Sequence, residues 1–243
     1  MSVFRSIVFT AAAAGLLVGL AVTAVQHVRT VPLIHKAEIY EKQAEAAPPA
    51  PAPAAHDHPA GTSAHDHGAA AWEPADGLER NAYTALFNVV EWVGFGLCLA
   101  GALVLLRRPP TWREGLFWGM GGFAAFVIAP GLGLPPELPG APAADLVARQ
   151  AWWIGTAAAT AGGLGLIALG RTAMTSAIGA ALLVLPHLIG APHAVEASSN
   201  VPEALSRQFV AAVTVTTFIS WALLGVLTGH FLQRFGGHRD LTA

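Results

Sequence analysis

The chain predicts an all-α integral membrane protein of six transmembrane helices (five if the first is cleaved or two merge), with a flexible His-rich loop outside the membrane. Three observations predict it. Of 243 residues, 54% are hydrophobic and 12% charged, with a mean hydropathy of +0.53; an ordinary soluble domain carries about a quarter charged residues. Six windows are almost free of charge over the roughly 20 residues that a helix needs to cross hydrocarbon. The arginines gather in the turns that would share one side of those six windows.

The first window runs from Ser6 to Val28, uncharged while His27 is neutral. Arg5 and the small residues near Val22 to Ala24 also suit a cleaved signal peptide. A retained helix is favoured, because the run is long enough to span and Ala11, Gly15 and Gly19 form a small-residue face for helix packing. Residues 1–28 are thus the first span, and 29–83 form an outer segment. Within it, Pro32 to about Ala44 reads as a short helix. The stretch PPAPAPAAHDHPAGTSAHDHG then has a composition that builds no core and predicts a flexible tether. Trp72 closes it, and Pro74, Asp76 and Gly77 give a turn.

Residues 84–233 predict a five-helix bundle. Its windows are Thr84 to Leu106, interrupted by Glu91; the stretch between Glu114 and Glu137; Gln150 to Gly170; Thr172 to Val195; and Gln208 to Gln233. Residues 234–243 form a tail. Arg107, Arg108, Arg113 and Arg171 lie in turns, with Arg5 before the first span and Arg234 and Arg239 after the last. The positive-inside rule then puts both termini in the cytoplasm of a bacterial inner membrane. Twelve of the fifteen acidic residues fall on the other face, which should attract cations. A net charge of −2 indicates no nucleic-acid partner, and the single Cys98 excludes an internal disulfide and a Cys-rich metal centre.

Two His-Asp-His motifs, His56-Asp57-His58 and His65-Asp66-His67, carry the clearest chemistry. Residues two apart in an extended chain point the same way, so each pair of imidazoles can pinch one ion. Four imidazoles, or two with a carboxylate from Asp57 or Asp66, suit cobalt, nickel, copper or zinc. The bland alternative is a solubilising linker that is rich in His. Imidazoles bind metal only when neutral, so capture should weaken below roughly pH 6.

Glu91 is an ionisable residue inside a span, with Asn88 three residues earlier. Together they suggest oxygen ligands on an ion path, or else structural glue between helices. His187 follows Pro186, whose ring frees a backbone carbonyl one turn back and suggests a broken helix lining a cavity; His193 lies just beyond. Glu137 sits in Ala129-Pro-Gly-Leu-Gly-Leu-Pro-Pro-Glu-Leu-Pro-Gly140, where four prolines and three glycines argue against a continuing helix. It is a ligand at a pore mouth or part of a rigid cap. His35, Glu38, Glu41 and Glu45 recur at helical spacing as an acidic, solvated face. Lys36 and Lys42 complete no phosphate-binding loop, and no grouping of residues suggests an enzyme.

These segments resemble the CbtA family of probable cobalt transporter subunits. The resemblance rests on Pro32-Leu-Ile-His-Lys-Ala-Glu-Ile-Tyr-Glu41, the His-Asp-His tether, Trp72-Glu-Pro-Ala-Asp-Gly-Leu-Glu-Arg80, the Pro-rich loop, Arg149-Gln-Ala-Trp-Trp153 and Leu185-Pro-His-Leu-Ile-Gly-Ala-Pro192. It implies cobalt uptake for cobalamin synthesis with a small, His-bearing, single-span partner subunit, and a usual count of five spans. The sequence-based expectation is therefore uptake of a divalent metal, cobalt favoured, with no permanently bound cofactor. Two rivals remain at this stage: a redox protein with His27 and His187 as axial haem ligands, and an accessory subunit that only scavenges or senses metal.

Overall fold

The computed structural model describes residues 2–46, 74–194 and 199–236. Their regular structure is entirely helical: α1 (Val3–Arg29), α2 (Val31–Ala46), α3 (Leu78–Leu105), α4 (Trp112–Phe123), a π-helical turn (Ala124–Ile128), α5 (Ala129–Gly133), α6 (Leu146–Leu169), α7 (Ala173–Ile189) and α8 (Glu203–Phe235). α4, the π turn and α5 act as one rod. Five helices are long and apolar enough to cross a membrane, and α7 is a shorter apolar helix of 17 residues.

Small residues set the packing, as hydrocarbon offers no hydrophobic force to press helices together. α1 presents the predicted face: a Cβ on Gly15 would lie 2.5 Å from the Val93 Cα, and one on Gly19 would lie 2.6 Å from the Val89 Cα. α1 and α3 therefore run antiparallel at close range. α4 meets α8 through a second seam of Gly115 and Gly119 against Trp221, Gly225 and Gly229. α6 and α7 form an antiparallel hairpin through Gly163 and Gly179, where a Cβ on either would lie 2.7 or 2.6 Å from the other's carbonyl oxygen. α1 is central, packing on both α3 and α8, with Ala14 and Val18 fully buried.

α7 returns along α6, but its 17 residues leave it shorter than the five candidate spans, so five helices, not six, are long enough to cross. α7 is about 25 Å long at 1.5 Å per residue, at the lower limit for a span. The Ser6 hydroxyl donates to the Phe235 carbonyl at 3.1 Å, which sets the start of α1 beside the end of α8. The α3–α4 turn with Arg107, Arg108 and Arg113 lies at the same end, as does Arg171 between α6 and α7. Here Arg108 and the Trp118 indole both bond the Glu114 carboxylate.

Two sequence expectations change. The helix does not stop at Ala129: it continues to Gly133 through Pro130. The π turn explains this, since the Ala129 N–H reaches the Ala124 carbonyl, five residues back, and the widened turn relieves the clash a proline ring makes with the residue four before it. Nor is α7 broken at Pro186, which sits within its last turn. The helix ends instead at Gly190, whose φ of +85° suits glycine.

Candidate functional site

At the end opposite Arg107, Arg108, Arg113 and Arg171, α2 lies across the bundle. Its Ala37 is fully buried against Leu138, Val201, Leu205 and Phe209, so its apolar face covers the start of α8 and the Pro-rich loop. Its polar face is tied to α3. Arg80 donates to Glu38 at 2.8 Å and to Asp76 at 3.2 Å, while His35 Nδ1 meets the other Glu38 oxygen at 3.1 Å.

Beneath this latch is a vestibule of about 570 Å³ between α1, α3 and α8. Gln26, His27 and Thr30 line it from α1, His35 from α2, Arg80, Asn81 and Thr84 from α3, and Thr216 and Thr217 from α8. One turn deeper the polar lining stops. Gln26 gives way to Val22 and Thr217 to Trp221, both in the apolar cluster that also holds Trp92, Val18 and Leu224. The cavity is thus polar at its mouth and sealed by aromatic and aliphatic side chains in the middle of the bundle.

The Arg80 guanidinium, and secondarily His35, hold the Glu38 carboxyl below its ordinary value of 4.5 against the opposing effect of burial. A carboxyl lowered on folding stabilises fully above its unfolded value, and that contribution disappears as pH falls through the folded one. Glu38→Gln should cost at most about 1 kcal/mol, because the pair is partly solvent-screened. Thermal unfolding followed against pH should show wild type ahead of Glu38→Gln at pH 6, with the gap closing below pH 4.5. A gap that does not begin to narrow as pH falls below 4.5 would refute the latch.

Most residues expected to carry chemistry are not gathered here. His56, Asp57, His58, His65, Asp66 and His67 lie outside the described residues. Asn88 is buried and its amide donates to Thr23 at 3.0 Å and Gln26 at 2.8 Å, joining α3 to α1. Glu91 is exposed on the outside of the bundle, so it does not share an interior path with Asn88. Glu137 pairs with Arg149 at 2.8 Å, bracing the Pro-rich loop against α6. His187 packs edge-on against Trp152, whose indole donates to the Pro186 carbonyl at 3.3 Å, and His193 is exposed beyond α7. No group of three or more His, Cys, Asp or Glu placed to hold a metal ion occurs among the described residues.

His27 and His187, paired in the haem alternative, fall apart as well: the first lines the vestibule on α1, and the second sits on the α6–α7 hairpin. The vestibule itself escaped the sequence reading. Its signal was the run Thr214, Thr216, Thr217 and Ser220 inside an otherwise apolar span, opposite Gln26 and His27 at the end of another.

No curated protein and no solved structure matches the chain. A family model does, over residues 4–233, and that family is described as the probable cobalt transporter subunit (CbtA). The match takes in nearly all of α1 to α8, the vestibule and all three glycine seams, and the chain belongs to the CbtA family.

Proposed function

We propose that the chain admits cobalt(II) from the outer face of the bacterial inner membrane and conducts it towards the cytoplasm, entering by the vestibule under α2. The arginine end then faces the cytoplasm, as the positive-inside rule asks, and both termini lie there. The observation that carries this reading is a cavity with His, Gln, Asn and Thr side chains near one end of the bundle that stops at an apolar cluster at mid-bundle, in a chain of this family. Such asymmetry is what an outward-facing resting state needs.

In this reading the tether's His56, His58, His65 and His67, with Asp57 and Asp66, hold the ion outside. His27 and His35 receive it at the vestibule mouth, and the amide and hydroxyl oxygens of Gln26, Asn81, Thr84 and Thr217 offer weaker ligands deeper in. Weak, successive ligands let an ion enter and leave. Inward passage requires the cluster of Val22, Trp92 and Trp221 to part. Cobalt is favoured by the family, since imidazole and carboxylate ligands alone would prefer nickel or copper.

Radioactive cobalt uptake, in cells expressing the chain at matched surface levels, tests the proposal. Wild type should accumulate cobalt above control cells, and His27→Ala with His35→Ala should lower that rate severalfold. Uptake equal to control cells would support an accessory role in scavenging or sensing. Full uptake by the double variant would remove the vestibule from the path.

A further inference from the structure

A cleft of about 970 Å³ lies between the Pro-rich loop, the start of α6 and α8. It is at the upper end of the roughly 300–1,000 Å³ typical of small-ligand sites. Its walls are apolar: Phe126 from the π turn, Leu134 from the loop, Ile154 from α6 and Val210 from α8. Gly131 leaves room in one wall, since a Cβ there would meet nothing within 4 Å. Ile154 also stands well exposed on the bundle's surface, so the cleft opens towards surrounding lipid.

The charged residues that line this cleft are Glu137 and Arg149, paired at 2.8 Å. Arg149 is the fourth residue of α6, about 4.5 Å from the helix start at 1.5 Å per residue. Trp153 lines the cleft one turn deeper. Tryptophan gathers at the headgroup level of a membrane, so an ion pair stands at that level over a space walled by hydrocarbon. The pair uses one Arg149 N–H and one Glu137 oxygen. A guanidinium has five N–H donors and a carboxylate two oxygens, so both groups keep bonding capacity. Each side chain also remains 29% exposed.

We infer that the cleft seats an acyl chain of one phosphatidylethanolamine molecule, whose phosphate meets Arg149 and whose primary ammonium meets Glu137. Charge complementarity selects this lipid. Its zwitterionic headgroup sets an anion and a cation against the cation and anion of the pair, through charge-assisted hydrogen bonds. An anionic headgroup such as phosphatidylglycerol would face the Glu137 carboxylate with no cation to offset it. A choline headgroup has no N–H to donate to that carboxylate. Val213 and Thr217 line both this cleft and the vestibule, so the lipid rests against the same stretch of α8 that walls the vestibule.

Native mass spectrometry of the purified, delipidated full chain tests this without any transport assay. The chain is titrated in detergent with palmitoyl-oleoyl phosphatidylethanolamine, phosphatidylcholine or phosphatidylglycerol, so that only the headgroup varies. The first phosphatidylethanolamine should bind about tenfold more tightly than either of the others, a step that charge-assisted hydrogen bonds can supply. Glu137→Gln keeps an oxygen acceptor for Arg149 and removes the charge; it should abolish the preference and leave phosphatidylcholine binding unchanged. Gly131→Leu fills the cleft and keeps the ion pair; it too should remove the tight first binding. Gly101→Leu, on α3 and outside the cleft, also has open space at its Cβ and should bind as wild type does. Equal affinity for the three headgroups, a preference for phosphatidylglycerol, or a phosphatidylethanolamine preference that survives in either Glu137→Gln or Gly131→Leu would each overturn the inference.

Discussion

Gly225→Leu should leave almost no folded protein. A Cβ at this position would sit far inside van der Waals contact with the Gly115 carbonyl oxygen, and 3.1 Å from the Leu116 Cα. Reciprocally, a Cβ on Gly119 would lie 2.6 Å from the Trp221 carbonyl oxygen. These neighbours are backbone, so no side chain can rotate away and α4 must separate from α8. Overpacking a core that can adjust costs about 1–3 kcal/mol. Here the cost should reach about 3 kcal/mol or more, a large part of the 5–15 kcal/mol that holds a typical domain together. Size-exclusion chromatography in mild detergent should show the monodisperse peak lost in Gly225→Leu and kept in Gly101→Leu, where a Cβ meets nothing within 4 Å. A sharp peak at wild-type yield for Gly225→Leu would mean that the α4–α8 seam is not formed as described.

Replacing His56, His58, His65 and His67 by Ala should raise the cobalt concentration for half-maximal uptake by about tenfold or more, with maximal uptake unchanged. The reason lies in where the segment is attached. It joins α2, which roofs the vestibule, to the start of α3, which forms its wall. In the proposed function, ions held there would be delivered from a raised local concentration rather than from bulk, and tethering commonly gains orders of magnitude in this way. Saturating metal removes the advantage. An unchanged half-saturation would make the segment a linker. Loss of uptake at every concentration would place these histidines on the obligatory path.

What sequence revealed and what it hid follow physical lines. The small-residue face of α1 was legible because helical spacing alone determines which residues share a stripe. The arginine end was legible because short turns report topology directly. Both inferences are local in the chain. The Pro-rich motif misled because proline's cost was judged for an α-helix, and the π turn before Pro130 changes the geometry on which that cost depends. Pro186 misled for a related reason: within the last turn before Gly190 it distorts little that remains to be built.

Glu91 and Asn88 show the harder limit. A periodic pattern says that they lie on nearby faces, yet it does not say which neighbour covers which face. α1 takes Asn88 through Thr23 and Gln26, while the flank carrying Glu91 stays open. The vestibule was hidden in the same way. Its lining comes from four helices, and each contributes only one or a few unremarkable polar residues.

The bond from Ser6 to the Phe235 carbonyl joins residues 229 positions apart, and it has a consequence for biosynthesis. α1 leaves the ribosome before α8, yet part of its packing surface is completed only by α8. Until α8 is made, the Ser6 hydroxyl that will bond Phe235 faces lipid or the insertion machinery. The nascent chain therefore cannot mature domain by domain, and any truncation before α8 yields an incomplete product that quality-control proteases should recognise. Closure of the bundle around α1 therefore waits on α8.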